Sequence, residues 1–176
     1  MASPPNSNDK KPHITTILAT EAHQFEQAHE FLSNFYPTII LDLCFPPLGH
    51  TILAYATPSS STTVPATESA SGPQTQPLGT LVGCMSFGEL ADMPSRTPMC
   101  EIRYAFTISK HDYGIASHLV SCVIQTARDM AFDCVFVTTV ASMRHSVKLY
   151  EELGFQIIEA YRDTTSEGKT FLKILL

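Results

Sequence analysis

The sequence predicts an α/β (α+β) domain. Seven segments have strand character and three have helical spacing, and they alternate in the order β, α, β, β, β, α, β, α, β, β. Runs of strands broken by single helices favour one sheet flanked by helices. No internal repeat interrupts that order.

The segment 13–20 (HITTILAT) is rich in β-branched residues and reads as the first strand. Thr20 is placed to cap the helix that follows. Ala22, Phe25, Ala28, Leu32 and Phe35 recur at spacings of three and four, giving one apolar helical face. Pro37 marks its end. The segment 50–56 (HTILAYA) is the second strand and 80–87 (TLVGCMSF) the third. The stretch 57–79 between them holds four prolines, ten serines or threonines, and Glu68 as its only charge. Such a composition cannot bury enough apolar surface to offset its ordering entropy, so it reads as a disordered insertion within one antiparallel hairpin.

In 100–108 (CEIRYAFTI), alternation sets Ile102, Tyr104, Phe106 and Ile108 on one face and Glu101, Arg103, Ala105 and Thr107 on the other. After SKHDYG, residues 115–130 form a helix with Ile115, Leu119, Cys122, Val123, Thr126, Ala127 and Met130 inward. The segment 134–139 is a short buried strand. Residues 142–153 are helical and stop at Gly154, a residue suited to the left-handed C′ position. Segments 155–161 and 170–175 make a terminal hairpin. Residues 1–12 form a polar, mobile lead, and 13–176 a single domain.

At 176 residues one hydrophobic core suffices without disulfide support. The formal charge of −6 argues against nucleic-acid binding by phosphate neutralisation and mildly favours a cationic or neutral small partner. No stretch approaches the ~18 apolar residues of a membrane span. The first residues lack an apolar signal core, so the expected location is cytoplasmic. The five cysteines are odd in number and widely spaced, with no CxxC pair, and read as buried thiols rather than ligands or nucleophiles. His23, Glu26 and Glu30 share a helical side, but a solvated face explains them, and no metal is expected.

Two elements carry chemistry. SKHDYGIAS joins a strand to a helix, where the first amides lack intrachain acceptors and the helix dipole is positive. Gly114 and Ala116 let a ligand come close. Taken alone, the turn fits either an anion site or an ordinary strand-to-helix turn. KLYEELGF, residues 148–155, reads alone as an amphipathic helix end with Tyr150 and Leu153 in the core.

Together and at this separation, the two resemble the signature of the GNAT superfamily of acetyl-CoA-dependent N-acetyltransferases. His111-Asp112-Tyr113-Gly114-Ile115-Ala116 stands for Gln/Arg-x-x-Gly-x-Gly/Ala, and Leu149-Tyr150-Glu151-Glu152-Leu153-Gly154-Phe155 for LYEKLGF. The resemblance covers residues 100–176 best, and EIRYAFTIS is similar to the strand of histone-type members that carries a catalytic glutamate.

The resemblance implies a central mixed, mostly antiparallel sheet of six to seven strands. Phe106, Thr107 and Ile108 would bond pantetheine, and the amides from Asp112 to Ser117 (His111 and Tyr113, Gly114, Ile115 and Ala116 among the turn residues) would hold the pyrophosphate. Tyr150 matches the general acid and Glu101 a general base, although a strand glutamate paired with an arginine such as Arg103 is the alternative. His111, Asp112, Met143 and Ser146 depart from the family pattern. Arg144 and His145 border the cofactor side.

The expected function is acetyl transfer from acetyl-CoA to a small-molecule amine, with a possible homodimer and no nucleic-acid or membrane partner. A protein lysine or N-terminal acetyltransferase and a non-catalytic binding protein of the same fold are the alternatives. The acceptor pocket carries no readable motif, though Phe35, Tyr36, Phe45 and Tyr161 are aromatic candidates for its lining.

Overall fold

The computed structural model describes residues 12–35, 44, 46–57, 79–90, 97–108, 114–162 and 168–176. Its element order is the one predicted: β1 (His13–Leu18), α1 (Ala22–Ser33), β2 (His50–Thr57), β3 (Thr80–Glu89), β4 (Met99–Thr107), α2 (Ile115–Asp129), β5 (Cys134–Val140), α3 (Arg144–Glu152), β6 (Gln156–Ile158) and β7 (Lys169–Leu175). The seven strands form one sheet in the order β1-β2-β3-β4-β5-β7-β6. Every neighbouring pair is antiparallel except β4 and β5, which run parallel. The sheet is therefore mixed and mostly antiparallel. β2 and β3 pair as a hairpin, while residues 58–78 between them lie outside the described residues.

The two faces of the sheet bury different clusters. On one, Ile52, Met85, Phe87 and Ile102 pack under Leu119, Val120 and Val123 of α2, with Tyr150 of α3 at the border. On the other, Leu53, Tyr55 and Cys84 meet Ala28 and Leu32 of α1. Phe25 is half-buried against this second cluster, whereas Phe35 lies beyond the helix and is 44% exposed. Gly83 lets α2 sit close to the sheet. A Cβ there would come within 3.0 Å of both Ile115 and Leu119.

Two local expectations are corrected. Thr20 does not cap α1. Glu21 is the N-cap, and Gln24 Oε1 accepts from its amide at 3.0 Å and from that of Thr20 at 2.8 Å. The side chain three positions into the helix reaches back and satisfies these donors. In β4 the alternation does not run through. Ser86 pairs with Tyr104 but Phe87 with Ile102, so Arg103 is an extra residue and β4 is bulged there. A bulge reverses the side-chain parity along a strand. Ile102 therefore joins the α2 core while Phe106 packs on the α1 cluster. Glu101, opposite Gly88, stays with the α1 face.

The bulge coincides with a parting of strands. Parallel pairing of β4 with β5 runs from Met99↔Cys134 to Ile102↔Val137 and then stops, although both strands continue. A V-shaped opening results in the middle of the sheet.

Candidate active site

The opening between β4 and β5 is lined on the α2/α3 side by Ile102, Ala105, Val137, Thr139, Met143, Ser146 and Tyr150, around a cavity of about 190 Å³. Tyr150 reaches it because α3 carries it on its buried side, where it is 5% exposed and meets Phe155 edge to face at 5.3 Å. Gly154, at φ +94°, reverses the chain so that Phe155 can fold back, its amide donating to Tyr150 O at 3.0 Å. Met143 and Ser146, noted as departures from the family pattern, both face this cavity. Arg144 and His145 are exposed at the start of α3.

On the opposite, α1 side a second cavity of about 240 Å³ is lined by Glu101, Tyr104 and Arg162. Ile102, Arg103 and Thr138 line both cavities. The two therefore share a wall at the bulge, one on each face of the sheet.

Glu101 is 4% exposed. Arg162 donates to both carboxylate oxygens, at 2.9 and 2.6 Å, and the Tyr161 hydroxyl donates to Oε1. The hydroxyl of Thr138 lies 2.8 Å from that of Tyr161 and also donates to Glu101 Oε1 at 3.5 Å. Burial, and then the bond to Glu101, push the Tyr161 hydroxyl well above the ordinary phenol range, so it stays a donor. Its ring stacks among Phe136 at 4.6 Å and Phe171 at 5.5 Å, and the Arg162 guanidinium lies 5.4 Å from its centroid. The arginine paired with Glu101 is thus Arg162. Arg103 instead donates to the carbonyls of Leu48 and Glu89, each at 2.8 Å.

α2 follows Gly114, whose φ of +70° is a left-handed turn; among the described residues no side chain caps the helix, and its first turn holds no acidic residue. The amides of Ile115, Ala116 and Ser117 are therefore donors without an intrahelical acceptor, a set that fits a phosphate oxygen. Of the remaining expected cofactor residues, Thr107 leans toward α2 beside Gly83, Ile108 donates its amide to Val82 O at 2.9 Å, and Phe106 stacks on Phe35. His111, Asp112 and Tyr113 lie outside the described residues, as do Tyr36 and Phe45. His118 is exposed, its Nε2 3.2 Å from the Thr16 hydroxyl.

The cysteines are free thiols, and all but the half-buried Cys122 are buried. Burial pushes the Cys100 thiol up to about 12, which suits packing rather than nucleophilic attack. His23 pairs with Glu21 at 3.2 Å. No helix is long and apolar enough to cross a membrane, among the described residues.

Sequence reasoning missed Arg162 altogether and gave Tyr161 no more than a place among aromatic lining candidates. The one available signal was their adjacency after β6, between the two strands of the final hairpin, which says nothing of the partner across the sheet.

Among solved structures, NAA60 of Arabidopsis thaliana in complex with acetyl-CoA is similar at a TM-score of 0.64, with 10% identity over 93% of this chain and 99% of that one. An acetyltransferase of Bacillus subtilis in complex with CoA follows at 0.60 and 17% identity, covering 93% and 99%. An N-acetyltransferase of Staphylococcus aureus Mu50 gives 0.62 and 15%, covering 93% and 97%. Identities this low establish the fold alone. Among curated proteins no sequence match was found. The sequence profile of the acetyltransferase (GNAT) family matches residues 41–155, which take in β2 to α3, the bulge, the opening and the start of α2. With well over half of its length matched, the chain belongs to the GNAT acetyltransferase family.

Proposed function

We propose that the protein transfers the acetyl group of acetyl-CoA directly to an amine of a small molecule. The observation that carries this is the pair of cavities on opposite faces of the sheet that share Ile102, Arg103 and Thr138 as a wall, one bordered by Tyr150 and the other by Glu101. A direct transfer needs that arrangement, because donor and acceptor must reach one point from two sides without an enzyme-bound acyl group between them.

The residues present fit the co-substrate. The amides of Ile115 to Ser117 would hold its pyrophosphate, and the slot beyond Ile102, beside Phe106, Thr107 and Ile108, would take its pantetheine arm. It supplies the activated thioester. Glu101 takes a proton from the acceptor ammonium, since a protonated amine has no lone pair to attack with. As the new N–C bond forms and the C–S bond breaks, Tyr150 protonates the departing sulfur. The second nitrogen proton passes through water to the tyrosinate and restores the phenol, and Glu101 releases the proton it took to solvent as the product leaves. An acceptor cavity of about 240 Å³ and the charge of −6 both favour a small basic acceptor.

Thermal-shift titration with acetyl-CoA, with CoA and ATP as controls, tests the first half. A ligand at 100 times its dissociation constant stabilises the native state by about 2.7 kcal/mol. A shift with acetyl-CoA and CoA well above that with ATP is expected, and none at millimolar concentration would overturn the reading. A panel of amines run against a panel of peptides tests the second half. Turnover of peptides alone would replace the small-molecule acceptor with a protein.

A further inference from the structure

We infer that Arg162 is an internal competitor for the acceptor: its guanidinium occupies the cation site of Glu101, and an N–H-bearing ammonium binds there by displacing it. The inference rests on the reading that Glu101 faces the acceptor.

Three observations carry it. First, the carboxylate is already engaged. Arg162 holds both oxygens at 2.9 and 2.6 Å, and Tyr161 and Thr138 also donate to Oε1, so the charge of Glu101 is already matched by a forked cation that an ammonium must displace to pair with it. Second, what the buried carboxylate needs is positive charge, which an ammonium also carries. A carboxylate 5% exposed requires a positive partner, and the Tyr161 ring offers an electron-rich face beside it.

Third, the resident cation is the part that can leave. The Arg162 side chain is 42% exposed and lines the mouth of the cavity, so rotation about its side-chain bonds returns the guanidinium to water. Glu101, anchored in β4, cannot follow it. Tyr161 stays fixed by Thr138, Phe136 and Phe171. An incoming ammonium thus exchanges one charge-assisted partner for another, and the buried carboxylate is never left alone. The exchange favours acceptors that arrive protonated and donate N–H, and it disfavours neutral ones, which cannot replace the charge. The acceptor class is therefore an alkylammonium that has N–H to donate.

The test is a thermal-shift titration of the full chain with butylammonium chloride, against tetramethylammonium chloride at matched ionic strength. Arg162→Ala is expected to bind butylammonium about tenfold more tightly than wild type, the scale set by losing a competing bidentate pair. Tetramethylammonium, with no N–H to donate, should not distinguish the two. Adding Glu101→Gln to Arg162→Ala should abolish the gain. Equal affinity in wild type and Arg162→Ala, or tighter binding in wild type, overturns the inference.

Should Arg162→Ala fail to fold, Arg162→Lys serves, since its point charge competes less well than a fork. Its butylammonium affinity should be tighter than wild type, and equality overturns the idea. No acetyl-CoA is present in these titrations. Loss of the transferase reading would instead show in the acetyl-CoA titration, so the two failures are distinguishable.

Discussion

The Glu101–Arg162 pair makes an asymmetric prediction about stability. Glu101 is 5% exposed at the side chain and Arg162 is 42% exposed. When Glu101→Gln removes the charge, the arginine turns into water, and the loss is that of an exposed charge-assisted bond, about 1 kcal/mol. When Arg162→Ala removes the cation, the buried carboxylate keeps the Tyr161 hydroxyl but no counter-charge. Full burial would make that cost about 3–5 kcal/mol. Water entering the adjoining cavity of about 240 Å³ replaces part of the lost bonding, and the estimate falls to about 2 kcal/mol, or roughly 4–8 °C in the unfolding midpoint. The double variant carries no buried charge and should resemble Glu101→Gln alone, giving a coupling of about 2 kcal/mol. Urea denaturation of the four proteins, extrapolated linearly, measures each difference. Additive losses, or a Glu101→Gln variant less stable than Arg162→Ala, would refute the reasoning.

Tyr150→Phe should lower turnover by roughly 10²-fold or more, the scale of a lost general acid, while leaving the acetyl-CoA thermal shift in place. Loss of that shift would make Tyr150 a packing residue instead. Gly83→Ala should cost about 2 kcal/mol in a urea melt, because the added methyl meets Ile115 and Leu119 at 3.0 Å and Thr107 at 3.3 Å; a variant as stable as wild type would show that α2 yields at no cost. Burial holds His50, in contact with the Phe87 ring, below the ordinary imidazole value. The unfolded chain therefore takes up the proton first as pH falls through about 6.5, and this stabilisation is present above that pH and lost below it. His50→Gln should flatten the fall in urea midpoint between about pH 7 and 5, and an unchanged slope would assign the fall to other groups.

All ten elements and their order were legible because each rests on local spacing: β-branched runs for the strands, apolar residues at three and four for α1 and α2, and Gly154 at the end of α3. The bulge was not. CEIRYAFTI alternates without a flaw, and only the pairing of Phe87 with Ile102 after Ser86 with Tyr104 reveals the extra residue at Arg103. That slip decides which face each side chain takes. With unbroken parity, Glu101 would share a face with Arg103 and Ala105, and Ile102 would turn from the α2 core. The bulge instead sets Glu101 on the α1 face and Ile102 under α2, while Arg103 lines both cavities where β4 leaves β5.

Tyr150 and Glu101 came into view through a resemblance of short segments, which carry their own neighbours with them. Arg162 lies 61 residues from Glu101, on the far side of two strands and two helices. No periodicity connects them. Only the antiparallel return of β7 along β5, with Tyr161 packed on Phe136 and Phe171, brings that arginine over β4. A contact made by strand order has no local signature, so the arginine paired with Glu101 had to be found in the fold.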